Sequence, residues 1–146
     1  MFQFSKRSIR NMKDVHPELI RIVMESIKVS PIDFGIPNDG GVRSALRQHQ
    51  MFNDPHIATK CDGYDHVSRH QIRDGDEFGL ALDFYAYIGG KASWNKVHLA
   101  MVASVILSTA KRLKDEGKIS ITIRWGGSFD SKVYKGWDYP HIQVED

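Results

Sequence analysis

The chain has 146 residues but only one cysteine, Cys61, which excludes an internal disulfide framework and any all-cysteine zinc module. It also has little excess charge. Twenty Lys and Arg stand against 18 Asp and Glu, a formal +2, too little to hold a nucleic acid by neutralising phosphates. With no basic stripe interleaved with aromatics, no nucleic-acid partner is expected. Long apolar runs are missing as well. The most apolar stretch, Leu99 to Leu107, has nine residues where a bilayer helix needs roughly 20, so no membrane insertion is expected. The opening MFQFSKRSIRNMKD is basic but has no apolar core of a secretory signal. The protein is therefore expected to stay in the reducing cytoplasm where it is made until something else releases it. What is present suffices for folding: 41% hydrophobic residues, with seven Phe, five Tyr and three Trp, predict one compact domain spanning residues 1–146, taken to act as a monomer.

Local patterns predict the elements. Pro17 suits a first helical turn, and Leu19, Ile20, Val23 and Ile27 recur at helical spacing up to Val29, before Pro31. Ile32, Phe34 and Ile36 alternate as a short strand, and residues 43–52 read as a helix. From Asn53 to Phe78 periodicity disappears in a long polar tract carrying His56, His66 and His70, a length that points to function. One strand is expected over 80–88, with Leu80, Leu82, Phe84, Ala86 and Ile88 on its apolar face and Asp83 on the other. A helix N-capped by Ser93 and ended by Gly117 follows, then a strand over Ile119–Trp125 and a last one in HIQVE, where His141 faces away from Ile142 and Val144. Helices and strands do not alternate regularly. The pattern predicts an α+β fold, a small and largely antiparallel sheet packed with helices.

Asp83 and His141, polar residues projecting from separate strands, together with His70 in the loop ahead, suggest a metal site with nitrogen and oxygen ligands. Zinc suits such a set, which leaves a fourth position for water. Asp138, three residues before His141, is near enough to take a proton from that water. The competing reading is that each is merely a solvated polar residue on a half-exposed strand. His66 and His70 are four apart, but the glutamate of an HExxH helix is missing and Gly63, Tyr64 and Asp65 do not read as helical. His16, His49, His56 and His98 find no convergent partners and read as solvated or capping residues.

The strings GVRSALRQ (41–48), SRH (68–70), GLALD (79–83), WGGSF (125–129) and WDYPHIQ (137–143) resemble, in order, the motifs of the zinc D-alanyl-D-alanine carboxypeptidase and VanX-like peptidases. Within that group the likeness is greatest to the L-alanyl-D-glutamate peptidase endolysins of bacteriophages. The resemblance runs from about residue 5 to residue 144 and implies a hedgehog and D-alanyl-D-alanine-peptidase-like fold. It implies that His70, Asp83 and His141 bind Zn2+, that Asp138 is the general base, and that Arg43 lies against the scissile carbonyl or a substrate carboxylate. Gln48 matches a polar substrate-site position, and Ser68 one that supports the first ligand. The implied activity is hydrolysis of the L-alanyl-D-glutamate bond in peptidoglycan stems, releasing the host's contents at lysis, with the protein held in the host cytoplasm until it reaches the wall. The alternatives are a D-alanyl-D-alanine carboxypeptidase or dipeptidase, and a non-catalytic wall-binding module that keeps a metal.

One departure from the family's S-x-H-x-x-G-x-A-x-D pattern stands out. Twelve residues, Gln71 to Leu82, separate His70 from Asp83, so an insertion falls within Ile72 to Phe78, expected as an acidic turn at the cleft edge. Glu77 keeps the family's spacing from His70 and is a rival third ligand; Asp83 is preferred because Gly79, Ala81 and Asp83 keep the G-x-A-x-D pattern. Asp74, Asp76 and Glu77 either hold a second cation or are simply solvated. Tyr85, Trp94, Trp125, Tyr134 and Trp137 line a cleft or pack, with Trp94 and Trp125 expected to be structural.

Overall fold

A computed structural model describes residues 1–129 and 136–146; Tyr134 lies outside the described residues. The chain runs α1 (Lys6–Asn11), α2 (Pro17–Val29), β1 (Asp33–Gly35), α3 (Ala45–Phe52), β2 (Ala81–Asp83), β3 (Tyr85–Ile88), β4 (Lys91–Ser93), α4 (Lys96–Asp115), β5 (Ile123–Trp125), a 3-10 turn at Gly126–Ser128, and β6 (His141–Val144). The strands form two antiparallel three-stranded sheets, ordered β1-β3-β4 and β2-β6-β5. The fold is α+β, as the pattern predicts.

The core is made where the apolar stripes of α2 and α4 meet. Leu19, Ile22, Val23 and Ile27 from α2 face Leu99, Val102, Ala103, Ile106 and Leu113 from α4, all buried. Full burial of each large aliphatic side chain stabilises by roughly 1.5–3 kcal/mol. The sheets add Phe34, Leu82, Phe84, Ala86 and Ile142 to the same cluster. Ser26, inside the α2 stripe, donates to the Ile22 carbonyl at 2.6 Å and so leaves no unpaired hydroxyl in the core.

The alternation over 80–88 continues as expected, but the segment is two strands in different sheets. Asp83 pairs with His141 in one sheet, Tyr85 pairs with Gly35 in the other, and Phe84 between them donates its amide to Pro140 at 2.8 Å. Alternation reports which side is buried and is blind to which neighbour supplies the hydrogen bonds. The expected helix start at Ser93 also moves. Gly89 and Gly90, at φ 57° and 81°, close a tight hairpin that puts Ser93 in β4; the cap is Asn95, which accepts from the Val97 amide. Of 119–125 only Ile123–Trp125 is strand. Ser120 and Ile121 instead donate their amides to the Glu18 carboxylate at 3.0 and 3.1 Å. α1 has no amphipathic signature; its start is set by the Ser5 side chain, which accepts from the Ser8 amide.

Candidate metal centre and cleft

β2 and β6 are neighbours with Asp83 opposite His141, so one cross-strand pair presents a carboxylate and an imidazole on the same face. His70 reaches them from the end of the long loop. That end is fixed by backbone: the Arg43 amide donates to the His70 carbonyl at 2.8 Å, the His70 amide donates to Ser68 Oγ at 3.2 Å, and the Leu80 amide donates to the Arg69 carbonyl at 2.9 Å. One ligand-type atom from each of His70, Asp83 and His141 lies within 4.8 Å of the others, and this is the group among the described residues that could hold a metal ion.

The imidazole orientations follow from their outer partners. His70 Nδ1 faces the Gly41 carbonyl at 2.9 Å; a carbonyl only accepts, so Nδ1 carries the proton and Nε2 presents a lone pair inward. His141 Nε2 donates to Gln143 Oε1 at 3.0 Å, which turns Nδ1 inward. The two inward nitrogens are 3.2 Å apart, and each lies 3.0–3.2 Å from Asp83 Oδ1. Two lone pairs and a carboxylate oxygen aimed at one point form a donor set that fits a divalent cation, with the outer hydrogen bonds that such histidines use to fix their tautomers. Gln143 was not singled out from sequence; the available signal was its place two residues after His141 on the same strand face.

Asp83 Oδ2, turned away from the histidines, accepts from Arg43 at 2.9 Å. Arg43 is itself tethered, donating through Nε to the Asp39 carbonyl at 2.7 Å and through Nη1 to Gln48 Oε1 at 3.1 Å. Gln48 is fully buried and donates to Thr59 Oγ1 and the Cys61 carbonyl. It therefore stands behind Arg43 and is absent from the cleft wall, where a substrate-site position was expected. Arg43 lines the cleft with guanidinium hydrogens to spare, and Ser68 holds the His70 backbone.

Asp138 Oδ2 is 3.8 Å from His141 Nδ1. Its place depends on a glycine: Gly126 packs so tightly under it that any side chain at 126 would land on the Asp138 carbonyl, and the Asp138 amide donates to the Gly126 carbonyl at 3.2 Å. Burial pushes the Asp138 carboxyl up to about 6, with the Asp83 charge adding and His141 opposing. Asp83 goes the other way. Burial alone would raise it, but the two imidazoles beside it hold it well below the usual carboxylate range. Burial pushes His70 down; for His141 burial is outweighed by the hydrogen bond and charge of Asp83, which raise it. Two adjacent carboxylates thus have opposite proton affinities, the arrangement in which one stays charged and the other can exchange a proton.

The group opens on a cleft of about 820 Å³. Phe129 packs edge-on against His141 at 5.6 Å between centroids, and Lys60 sits 5.5 Å over the Trp137 ring on the same wall. Trp125 is structural, donating to the Tyr139 carbonyl at 2.7 Å. Trp94 packs against Tyr85 and is 52% exposed at the cleft. Tyr85 packs behind it and does not line the cleft.

The inserted segment does not edge the cleft, contrary to expectation. It folds back toward the start of α2, with Phe78 edge-on to His16 at 5.9 Å, because Gly79 exchanges backbone hydrogen bonds with Asp14 and His16. Glu77 is exposed and lies outside the metal-type group, while Asp76 pairs with Arg73 at 2.9 Å. Asp74, Asp76 and Glu77 form no such group among the described residues. Of the remaining histidines, His16 caps α2, His49 bonds the Asp62 carbonyl and His98 bonds Ser93.

The family model of phage L-alanyl-D-glutamate peptidases matches residues 1–144. The L-alanyl-D-glutamate peptidase of Escherichia phage T5 is 26% identical over 151 residues, covering 98% of both chains. The crystal structure of the Serratia marcescens L-Ala D-Glu endopeptidase ChiX is similar with a TM-score of 0.67 at 24% identity, over 99% of this chain and 90% of that one.

Proposed function

Because the chain belongs to the phage L-alanyl-D-glutamate peptidase family, we propose that it is an endolysin cutting the L-alanyl-D-glutamate bond of peptidoglycan stems, with zinc held by His70, Asp83 and His141. The observation that carries this reading is the convergence of two inward imidazole nitrogens and Asp83 Oδ1 beside a second carboxylate of opposite proton affinity. A divalent ion in that position supplies Lewis-acid polarisation of the scissile carbonyl and makes nearby water more acidic.

The chain's own residues do the rest. Asp138, ionised above about 6, accepts the proton of the attacking water and returns it to the leaving D-glutamyl amine. Arg43 holds Asp83 Oδ2, leaving Oδ1 for the ion, and its spare hydrogens face the developing oxyanion. Gln48 keeps Arg43 in place, and Gln143 and the Gly41 carbonyl fix the two imidazoles. Among the described residues no helix is long and apolar enough to cross a membrane; the enzyme meets its substrate after release into the wall at lysis, as a monomer of one domain without a nucleic-acid partner.

The test is digestion of purified walls followed by end-group analysis. New D-glutamate amino termini that disappear after chelation and return with zinc are expected. Release of free D-alanine would transfer the assignment to a carboxypeptidase, and binding without new termini would make the protein a wall-binding module.

A further inference from the structure

The cleft is larger than a dipeptide needs, near the upper end of the roughly 300–1,000 Å³ that encloses drug-sized ligands. Its least explained wall is Trp94, which lies between β4 and the Asn95 cap of α4. An indole normally hides its rings or finds a partner for its N–H. Trp94 is 52% exposed, and no described residue accepts from its Nε1. Nor is it loose: Tyr85 packs against it at 5.8 Å between centroids with the planes tilted by 42°. The Tyr85 ring lies over Gly35, where a side chain would collide with its hydroxyl. A rigidly backed aromatic face with a free donor at its edge matches the chemistry of a pyranose, which offers an apolar C–H face and hydroxyl acceptors at its rim.

We propose that Trp94, backed by Tyr85, is a sugar-binding platform that seats the glycan end of the substrate. This rests on the peptidase reading above. In peptidoglycan the L-alanine of the scissile bond is acylated by the lactyl group of muramic acid, so a sugar must lie one residue from the reacting carbonyl. Trp94 belongs to the same continuous cleft as His70, Asp83 and His141.

The experiment compares kcat/KM on a stem peptide still attached to its disaccharide with the same peptide free of sugar, for wild type, Trp94→Ala and Trp94→Phe. The expected effect is roughly tenfold, which corresponds to about 1.4 kcal/mol. Wild type should favour the sugar-linked substrate. Trp94→Ala should reduce the ratio of the two values roughly tenfold, and Trp94→Phe should restore most of it. Glycan strands stripped of peptide should compete with wild type and fail against Trp94→Ala. A ratio unchanged by Trp94→Ala, or no competition by glycan in wild type, overturns the platform. Trp94→Phe recovers the ratio if the alanine variant does not fold. Failure of wild type on both substrates would refute the peptidase reading itself, a result distinguishable from loss of the preference alone.

Discussion

The two three-stranded sheets have equal strand numbers and share one continuous segment, yet they are built differently. In β2-β6-β5 each end is committed: Asp83 and His141 face each other, the Asp83 amide donates to the Gly40 carbonyl at 2.7 Å, and Arg43 clamps the carboxylate. In β1-β3-β4 the inner positions Phe34 and Ala86 are buried, but the hairpin end carries exposed Tyr87, Ile88 and Lys91 around two glycines with open space beside them. One sheet is specified by polar partners, each with one acceptable geometry. The other has no such charged cross-strand pair, and its burial gives out at the hairpin.

Breaking the committed sheet should cost most. His141→Ala removes one of three ligand atoms, and loss of an ion worth several kcal/mol to the transition state reduces activity on the order of ten-thousandfold; metal analysis beside the rate checks that the ion leaves with the imidazole. Asp138→Asn should reduce kcat roughly a thousandfold, within the range for positioned proton transfer, and should leave the metal content intact. Because burial pushes this carboxyl up to about 6, it is protonated and unable to act as base in more acid solution. The kcat profile of wild type should therefore fall on the acid side, with a limb at or below about 6, since a bound cation adds to the pull of His141. The raised value also has a stability sign. A carboxyl that binds its proton more tightly folded than unfolded costs stability as pH rises from the ordinary range through about 6. Asp138→Asn should consequently raise the metal-free Tm at pH 7, a gain in stability bought with activity.

Gln143→Leu sharpens the comparison. It removes the acceptor that fixes the His141 tautomer and should weaken binding of a divalent ion roughly 10–100-fold, measured by competition with a chelator. At the free end of the other sheet, Ile88→Thr should change stability by no more than about 0.5 kcal/mol, measured by denaturant titration. A larger loss there would show that the hairpin is committed too.

The sequence made both long helices legible because their apolar residues repeat at the helical period over several turns. Two members of the metal-type group were legible too, since Asp83 and His141 fall on the strand faces opposite the apolar residues. Other features were hidden. The change of sheet at Phe84 leaves alternation unbroken. The Glu18 carboxylate replaces strand pairing at residues 120–121 from a hundred positions away. The supporting contacts of Gln48 and Gln143 depend on distances that spacing along a chain does not encode. The insertion was visible as length, but its direction was not, because the Gly79 bonds to Asp14 and His16 that turn it away are backbone contacts with no residue signature.

Those same bonds close residues 71–79 at a narrow neck, with the Leu80 amide on the Arg69 carbonyl and the Val144 amide on the Leu80 carbonyl. Beyond the neck, residues 72–78 line no part of the cleft and contribute nothing to the His70, Asp83 and His141 group. Gly75, at φ 86° with nothing within 4 Å of where a side chain would be, is an exposed turn in that excursion. It is a natural port for splicing in a foreign sequence, such as an affinity tag or a wall-anchoring peptide, while the distance from His70 to Asp83 stays as it is.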